Sequence, residues 1–117
     1  MDKEKIILHC MRKSLWEERK NKEFWGKKDM DIFGFIHCST IDNIHLVTPN
    51  WKDLKDELVI LCIDRDKLKS EVKYEDLDNL GMKYPHIYGL VNNDAVIKVL
   101  PYNKDGEGNW IRNQELR

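Results

Sequence analysis

The sequence of 117 residues lacks any apolar run long enough to cross a membrane. Its longest uninterrupted apolar segment, Leu58 to Ile63, is about six residues, whereas a membrane helix needs about 20. The first residues are polar and charged, so they do not provide the apolar segment of a secretory signal peptide. We therefore expect a cytoplasmic protein without a membrane partner.

Cysteine is scarce, and the net charge is close to zero. The three cysteines, Cys10, Cys38 and Cys62, have no Cys-x-x-Cys spacing, and their odd number argues against a disulfide scaffold. The 20 Lys and Arg residues are balanced by 21 Asp and Glu residues, which leaves a net charge of −1. This balance provides no bulk attraction to nucleic acid, so nucleic acid is not expected as a partner.

Several enzyme signatures are missing as well. The sequence has no phosphate-binding P-loop, no Gly-x-Gly-x-x-Gly motif, no Gly-x-Ser-x-Gly motif and no His-Glu-x-x-His zinc motif. Apolar residues make up 41% of the chain and charged residues 35%, which fits one domain over residues 1–117. We expect its core within about residues 6–102. Residues 103–117 hold two glycines and many charges, and they are predicted to form a frayed tail.

Short apolar runs predict strands, and two capping patterns predict helices. The predicted strands cover residues 6–11, 32–39, 57–64, 72–75, 86–89 and 95–100. Ser14 and Glu17 form a capping box for a helix of about ten residues, and Thr40 can cap a short helix that Pro49 stops. The polar segment 76–83 is predicted to be a mobile loop. Because both helices lie near the N-terminus and do not alternate with strands, the predicted fold class is α+β.

Three histidines lie in strand-like segments, and two of them are followed by cysteine. They occur in Leu8-His9-Cys10, Ile36-His37-Cys38-Ser39 and Pro85-His86-Ile87-Tyr88-Gly89. Because successive strand residues point to opposite faces, Ser39 shares a face with His37, while Cys10 and Cys38 are predicted to point into the core. If His9 faces the same cleft, the cleft contains two imidazoles, the Ser39 hydroxyl and the Tyr88 phenol. These groups would suit a ligand with ribose hydroxyls, phosphates and an aromatic ring.

Other uses of these residues remain open. His9, His37 and His86 could share one face as metal ligands, but no local ligand spacing supports such a site, so no metal is expected. Each histidine could instead be a hydrogen-bonded part of the core. Catalysis by cysteine and histidine is a further alternative, although no cysteine lies at a predicted helix N-terminus, where a thiolate would be favoured.

The histidine segments are part of a longer pattern of blocks. The most distinctive blocks are Gly34 to Thr40 and Pro85 to Gly89. Together with the shorter blocks around them, they resemble the pattern of the bacterial domain-of-unknown-function family 952. The order and spacing of the blocks are similar to those of that family from about Ile6 to Tyr102. That family is similar to the ADP-ribosyltransferase fold, in which a split, curved antiparallel sheet holds NAD in a central cleft. Its RNA 2′-phosphotransferase branch is the most similar, with one histidine on the first core strand and a His-x-Ser pattern on a later strand.

The resemblance implies roles for five residues. His9 and His37 would be the catalytic residues, with His9 on a ribose or phosphate of NAD. His37 and Ser39 would lie near the nicotinamide ribose. Tyr88 would stack on a ring, and His86 would contact phosphate. The implied ligand is therefore NAD or an ADP-ribose derivative, a small nucleotide, with transfer of ADP-ribose as a possible reaction.

Two departures separate the chain from the enzymes that it resembles. The third block contains no glutamate to polarise the ribose, and Glu75 or Asp76 is the candidate for the missing carboxylate. The RNA-processing enzymes also have a separate basic N-terminal domain that holds RNA, and these 117 residues are not expected to include one. A non-enzymatic nucleotide-binding or interaction module is therefore the alternative function, and an interaction protein would use aromatic residues such as Trp25, Trp51 and Trp110. The sequence carries no signal for an oligomeric state.

Overall fold

The computed structural model describes residues 2–47 and 54–116 as a mixture of short helices and antiparallel strands. The strands are β1 (Ile6–Arg12), β2 (Phe24–Trp25), β3 (Ile36–His37), β4 (Ser39–Thr40), β5 (Leu58–Asp64), β6 (Glu71–Glu75), β7 (Tyr84–Tyr88), β8 (Val91–Asn92), β9 (Val96–Lys104) and β10 (Trp110–Ile111). The α-helices are α1 (Lys13–Arg19), α2 (Lys27–Phe33) and α3 (Ile44–Val47). Turns of 3₁₀-helix cover Arg65–Lys67, Asn93–Ala95 and Gln114–Leu116. The predicted α+β class is confirmed.

Three antiparallel sheets form a curled framework. The largest has the strand order β10-β9-β5-β1-β4, the second has the order β3-β7-β6, and β2 pairs with β8. The chain passes from the second sheet to the first within three residues, because β3 ends at His37 and β4 begins at Ser39. Between them, the Cys38 N–H donates to the carbonyl of Pro85 at 3.0 Å. This crossing brings the two sheets side by side at His37.

Strand β5 lies at the centre of the core. Residues Leu58 to Ile63 are all buried, because β1 and β9 flank the strand and other elements cover both faces. The prediction that this apolar run is buried on both faces is thus confirmed. The two faces belong to two apolar clusters. One cluster includes Ile7, Leu61, Ile36 and Ile87, and the other includes Leu8, Ile60, Leu100 and Leu116.

The predicted capping box is wrong. Helix α1 begins at Lys13, directly after β1, so Ser14 lies inside its first turn. No side chain caps this helix, and it covers seven residues rather than about ten. Its start is instead fixed by a contact between distant segments, in which the Lys13 N–H donates to the carbonyl of Glu57 at 2.8 Å.

Among the described residues, no helix has the length and apolar character that a bilayer span requires.

The predicted strand over residues 32–39 is also wrong in its first half. Ile32 and Phe33 end helix α2, and Gly34 closes it with a φ of 80°. Glycine reaches this left-handed conformation without the clash of a Cβ, so the chain can leave the helix and start β3 two residues later. Thr40 does contribute to the turn before α3, because its Oγ1 accepts from the Asn43 N–H at 3.1 Å. Pro49 and Trp51 lie outside the described residues.

The C-terminal segment differs from the frayed tail that its composition indicates. Strand β9 continues to Lys104, and β10 pairs with it. Leu116 is only 1% exposed and packs into the second apolar cluster. The Arg112 guanidinium donates to the carbonyls of Ile41 and Leu116 at 2.7 and 2.9 Å. These apolar and polar contacts outweigh the local preference of the glycines and charges for irregular structure.

Two glycines at the ends of α2 provide a test of the packing. Gly26 and Gly34 both have positive φ values, 110° and 80°, but only Gly26 is crowded. A Cβ at Gly26 would lie 2.4 Å from Cδ1 of the fully buried Ile36, whereas a Cβ at Gly34 meets no atom within 4 Å. We expect Gly34→Ala to cost about 1–2 kcal/mol from backbone strain. Gly26→Ala should cost about 1–3 kcal/mol more from overpacking.

Urea unfolding of the two variants measures this difference. Because both substitutions introduce the same side chain at a positive φ, Gly34→Ala serves as the matched control. Equal losses of stability would show that the contact between Gly26 and Ile36 does not constrain the core.

Candidate functional site

His9 lies on β1, beside the crossing between the two sheets. Its Nδ1–H donates to the backbone carbonyl of His37 at 2.6 Å, which leaves Nε2 as the acceptor of a neutral imidazole. The ring contacts the Trp25 indole, with 5.4 Å between the ring centroids. Burial lowers the pKa of His9, and the hydrogen bond to His37 opposes this effect only in part. His9 is therefore held as an oriented, uncharged imidazole.

The side chain of Asn93 holds Trp25, the aromatic neighbour of His9, through hydrogen bonds. The Trp25 indole N–H donates to Oδ1 of Asn93 at 2.7 Å. The amide group of Asn93 in turn donates to the carbonyls of Arg19 and Lys22 at 2.8 and 2.7 Å. The Arg19 guanidinium lies over the Trp25 ring, 5.4 Å from its centroid. These contacts bury Trp25, so it is not the exposed interaction residue that the sequence offered as an alternative.

His37 and His86 form a cross-strand pair on β3 and β7. They are directly opposite in the register, and their ring centroids are 5.7 Å apart. Phe33 meets His37 edge-on at 4.8 Å, and Phe35 packs against both histidines at 4.6 and 4.2 Å. Burial lowers the pKa of His37, and the charge of His86 adds to this effect. Within the described residues, no hydrogen bond engages the ring nitrogens of His37.

His86 is held by a carboxylate on the neighbouring strand β6. Its Nδ1–H donates to Oε1 of Glu75 at 3.0 Å, and the Tyr88 hydroxyl donates to the same oxygen at 2.5 Å. These two bonds, first that of Tyr88 and then that of His86, lower the pKa of Glu75. The bond to Glu75 raises the pKa of Tyr88. The Lys73 ammonium lies over the Tyr88 ring at 4.8 Å, so the phenol has protein partners on its edge and its face.

Four of the five predicted site residues line one cavity of about 380 Å³. They are His9, His37, Ser39 and His86. His9 and Ser39 belong to the five-stranded sheet, whereas His37 and His86 belong to the three-stranded sheet, so the cavity lies between the two sheets. Tyr88 is not among its lining residues, because its hydroxyl is turned to Glu75. The remaining lining residues are Leu8, Cys10, Cys38, Leu46, Asp78, Leu80 and Tyr84.

A second cavity of about 610 Å³ shares His9 and His37 with the first. We call the first the histidine cavity and the second the charged cavity. Three cationic side chains, Arg12, Arg19 and Lys28, line the charged cavity together with two carboxylates, Glu18 and Asp29. Phe33 also lines it and is 53% exposed. The pair of cavities thus forms a cleft with His9 and His37 at its middle.

The cysteines at the cleft are protonated thiols. Cys38 is buried, as predicted, whereas Cys10 is only half-buried and lines both cavities. Burial raises the pKa of Cys10 to about 12, so thiolate catalysis is not favoured here. In the described part of the chain, no three His, Cys, Asp or Glu side chains are grouped to hold a metal ion. The arrangement therefore gives no support to a zinc set of His9, His37 and His86.

The sequence did not indicate that Glu75 bonds His86 or that Phe35 packs against His37 and His86. Glu75 ends β6 and pairs with Tyr84 in the register, so its side chain lies diagonal to His86. Asp76, the other carboxylate considered, accepts the N–H groups of Leu80 and Gly81, each at 2.8 Å, and closes the loop after β6. The signal for Glu75 was a polar residue on the strand before the Pro85 to Gly89 block. This signal could not be interpreted without the register between β6 and β7, which are separated by a loop.

Comparison with known proteins gives a family and a fold. A family model described as a protein of unknown function, DUF952, matches residues 10–99, and no curated protein matches significantly. The crystal structure of protein CC0527 from Caulobacter crescentus is 21% identical, with a TM-score of 0.79, covering 95% of this chain and 97% of that chain. A double mutant of CC0527 is 20% identical with a TM-score of 0.78 over the same shares, 95% and 97%. The solution NMR structure of CC0527 is 21% identical with a TM-score of 0.65, covering 88% and 89%.

The lowered pKa values of His9 and His37 predict a pH dependence of stability. Both start from an ordinary value of 6.5, and in the folded chain both release their protons at lower pH. The unfolded chain therefore binds more protons, so this contribution is full above pH 6.5 and is lost as the pH falls towards the folded values. We expect the free energy of unfolding to decrease as the pH is lowered below about 6.5, and His9→Gln to weaken this dependence.

Urea unfolding across this pH range measures the effect, and an NMR titration of the histidine ring protons identifies the groups. His45→Gln, a change at the exposed fourth histidine, is the control. A measured pKa of His9 above the ordinary value of 6.5 would contradict the argument that burial lowers it.

Proposed function

The chain belongs to the DUF952 family, whose function is unknown, and from its histidine-lined cleft we propose that it binds NAD or an ADP-ribose derivative. The resemblance of the histidine segments to the RNA 2′-phosphotransferase branch of the ADP-ribosyltransferases is part of this proposal. The measured likeness to CC0527 supports the shared fold alone. The rest of the support comes from the chemistry of the cleft.

The carrying observation is that four residues with polar side chains, His9, His37, Ser39 and His86, line the histidine cavity. In the described residues, no hydrogen bond is formed by Nε2 of His9, the ring nitrogens of His37, the Ser39 hydroxyl or Nε2 of His86. Imidazole nitrogens and hydroxyl groups both donate and accept, as the adjacent hydroxyls of a ribose do. Convergent polar groups in a mostly apolar cavity are typical of a small-molecule site.

The size and charge of the cleft also fit a dinucleotide. Ligand sites for small molecules are commonly about 300–1,000 Å³, and the two cavities measure about 380 and 610 Å³. We place a nucleoside in the histidine cavity and the phosphates near Arg12, Arg19 and Lys28 in the charged cavity. Cationic side chains neutralise phosphates, and the exposed face of Phe33 offers a stacking surface for a base.

The same placement puts His37 and Ser39 beside the nicotinamide ribose. Transfer of ADP-ribose would begin with the loss of nicotinamide, which leaves positive charge on the ribose C1′. Neutral, oriented imidazoles at His9 and His37 would tolerate that charge better than imidazolium groups, and their lowered pKa values keep them neutral at pH 7. The structural relatives carry no evidence on this step, so binding is the first part of the proposal to test.

Thermal unfolding with and without NAD, ADP-ribose and nicotinamide tests the binding proposal. A ligand at about 100 times its dissociation constant stabilises the folded state by about 2.7 kcal/mol. For a domain of this size, that raises the melting temperature by several degrees. We expect NAD or ADP-ribose to give this rise in the wild type and His37→Ala to abolish it without loss of folding.

The matched control is His45→Ala, since His45 is an exposed histidine that is not among the residues lining the cavity. This variant should keep the ligand-induced rise. An equal rise in wild type and His37→Ala would place the ligand elsewhere. No rise in the folded wild type with any of the three compounds would contradict the proposed function.

A further inference from the structure

We propose that Glu75 and His86 form a carboxylate–imidazole pair that activates water for cleavage of the N-glycosidic bond of NAD, so that water is the acceptor of the ADP-ribosyl group. This inference rests on the binding of NAD proposed above. It assigns the reaction and a general base, which neither the family nor its structural relatives provide.

The first step of the argument is the orientation of His86. Its Nδ1–H is committed to Glu75 at 3.0 Å, so the lone pair of a neutral ring lies on Nε2. His86 lines the histidine cavity and a smaller cavity beside it. A carboxylate on Nδ1 fixes the tautomer and stabilises the imidazolium that forms when Nε2 takes up a proton. Tyr88 holds the same carboxylate oxygen in place.

The second step is the size of the smaller cavity, which we call the side chamber. It measures about 100 Å³ and shares five lining residues with the histidine cavity, which are His37, Asp78, Leu80, Tyr84 and His86. A water molecule occupies about 30 Å³ in the liquid. The side chamber therefore accommodates a few waters but no nucleoside. Its polar lining includes Glu75, Asp76 and Asp78, which suits ordered water.

The third step is the limited access to His86. The residue is only 5% exposed, and Phe35 packs on its ring at 4.2 Å. The loop after β6 is closed by Asp76, and it contributes Asp78 and Leu80 to both the side chamber and the histidine cavity. The side chamber beside His86 measures about 100 Å³, so it can hold water but not a nucleoside or a protein side chain together with its backbone. With the nucleotide in the histidine cavity, water is the acceptor that fits the remaining space beside His86.

Negative charge predominates among the described groups around His86. On β6, Glu75 bonds the ring and Lys73 is its register partner. The other titratable groups that line its surroundings are His37 on β3, Tyr84 and Tyr88 on β7, and Asp76 and Asp78 in the loop. Three carboxylates thus face one ammonium group. This excess of negative charge also stabilises the cationic ribose that develops as nicotinamide departs.

The reaction balances without an oxidant, a reductant or a metal. The bond between the ribose C1′ and the pyridinium nitrogen breaks, and its electron pair leaves with neutral nicotinamide. A bond forms between C1′ and the oxygen of water. One proton of that water passes to Nε2 of His86 and then to solvent. The products are ADP-ribose, nicotinamide and one proton from NAD and water.

The test is the release of nicotinamide from NAD, followed by chromatography, in wild type, Glu75→Gln and His86→Gln. General-base catalysis contributes about 10²–10⁴-fold to a rate. We expect His86→Gln to lose at least about 100-fold. Glu75→Gln, a positioning variant, should lose about 10-fold or more with NAD still bound. The matched control is Glu71→Gln, because Glu71 is an exposed carboxylate on the same strand and does not line the side chamber.

The pH profile separates positioning from a merely structural role. The rate in the wild type should rise with pH as a single ionising group loses its proton. In Glu75→Gln, the midpoint of that rise should move to lower pH, because the imidazolium no longer has its carboxylate. Tyr88→Phe, which keeps the ring packing and removes one bond to Glu75, provides a second variant if Glu75→Gln fails to fold.

Each outcome decides between the two proposals. Wild-type protein that is stabilised by NAD but releases no nicotinamide overturns the hydrolytic role and leaves the binding proposal standing. Wild-type protein that neither binds nor cleaves NAD overturns both. Release that is equal in wild type, Glu75→Gln and His86→Gln shows that another group activates the water.

Discussion

The hydrogen bond from His9 Nδ1 to the His37 carbonyl joins the two main sheets at the point where the chain passes between them. The bond is 2.6 Å long and connects β1 of the five-stranded sheet with β3 of the three-stranded sheet. The Cys38 N–H, next along the chain, is taken by Pro85 on β7. The two bonds add to the pairing of β3 with β7 and of β4 with β1 at the same point. Both cavities of the cleft are lined by His9 and His37, the two residues of the first bond.

The three histidines of the cleft have different environments, and their roles follow from them. His9 is fixed by a backbone carbonyl, His86 by the Glu75 carboxylate, and His37 only by packing against aromatic rings. A carbonyl on Nδ1 fixes a neutral ring, whereas a carboxylate also stabilises the charged form. His9 is therefore suited to hydrogen bonding with a ribose. His86 is suited to proton transfer.

Much of the framework could be predicted because it depends on local patterns. The apolar run of β5, the short apolar cluster at the start of β1 and the segment after Pro85 each predict a strand, and the structure has β5, β1 and β7 there. The period-two rule predicted only that His37 and Ser39 share a face, and it does not bring His9 or His86 to them. The structure brings the three histidines to one cavity through the pairing of distant strands.

The remaining features depend on contacts between distant segments. Helix α1 starts at Lys13 because its N–H reaches Glu57, not because of a capping residue. Helix α2 ends in Ile32 and Phe33, residue types that are common in strands, so its composition indicated a strand. Glu75 meets His86 only through the register of β6 and β7. The long-range contacts of Leu116 and Arg112 likewise order a segment that its glycines and charges predict to be irregular.

The most direct measurement is an NMR titration of the ¹⁵N-labelled protein with ADP-ribose, which contains the ribose and phosphates but no reactive glycosidic bond to nicotinamide. The account predicts shifts that saturate and are concentrated at His9, His37, Ser39 and His86, with smaller ones near Arg19 and Lys28. Shifts confined to residues away from the two cavities, or none at millimolar ligand, would contradict the assignment of this cleft as a nucleotide site.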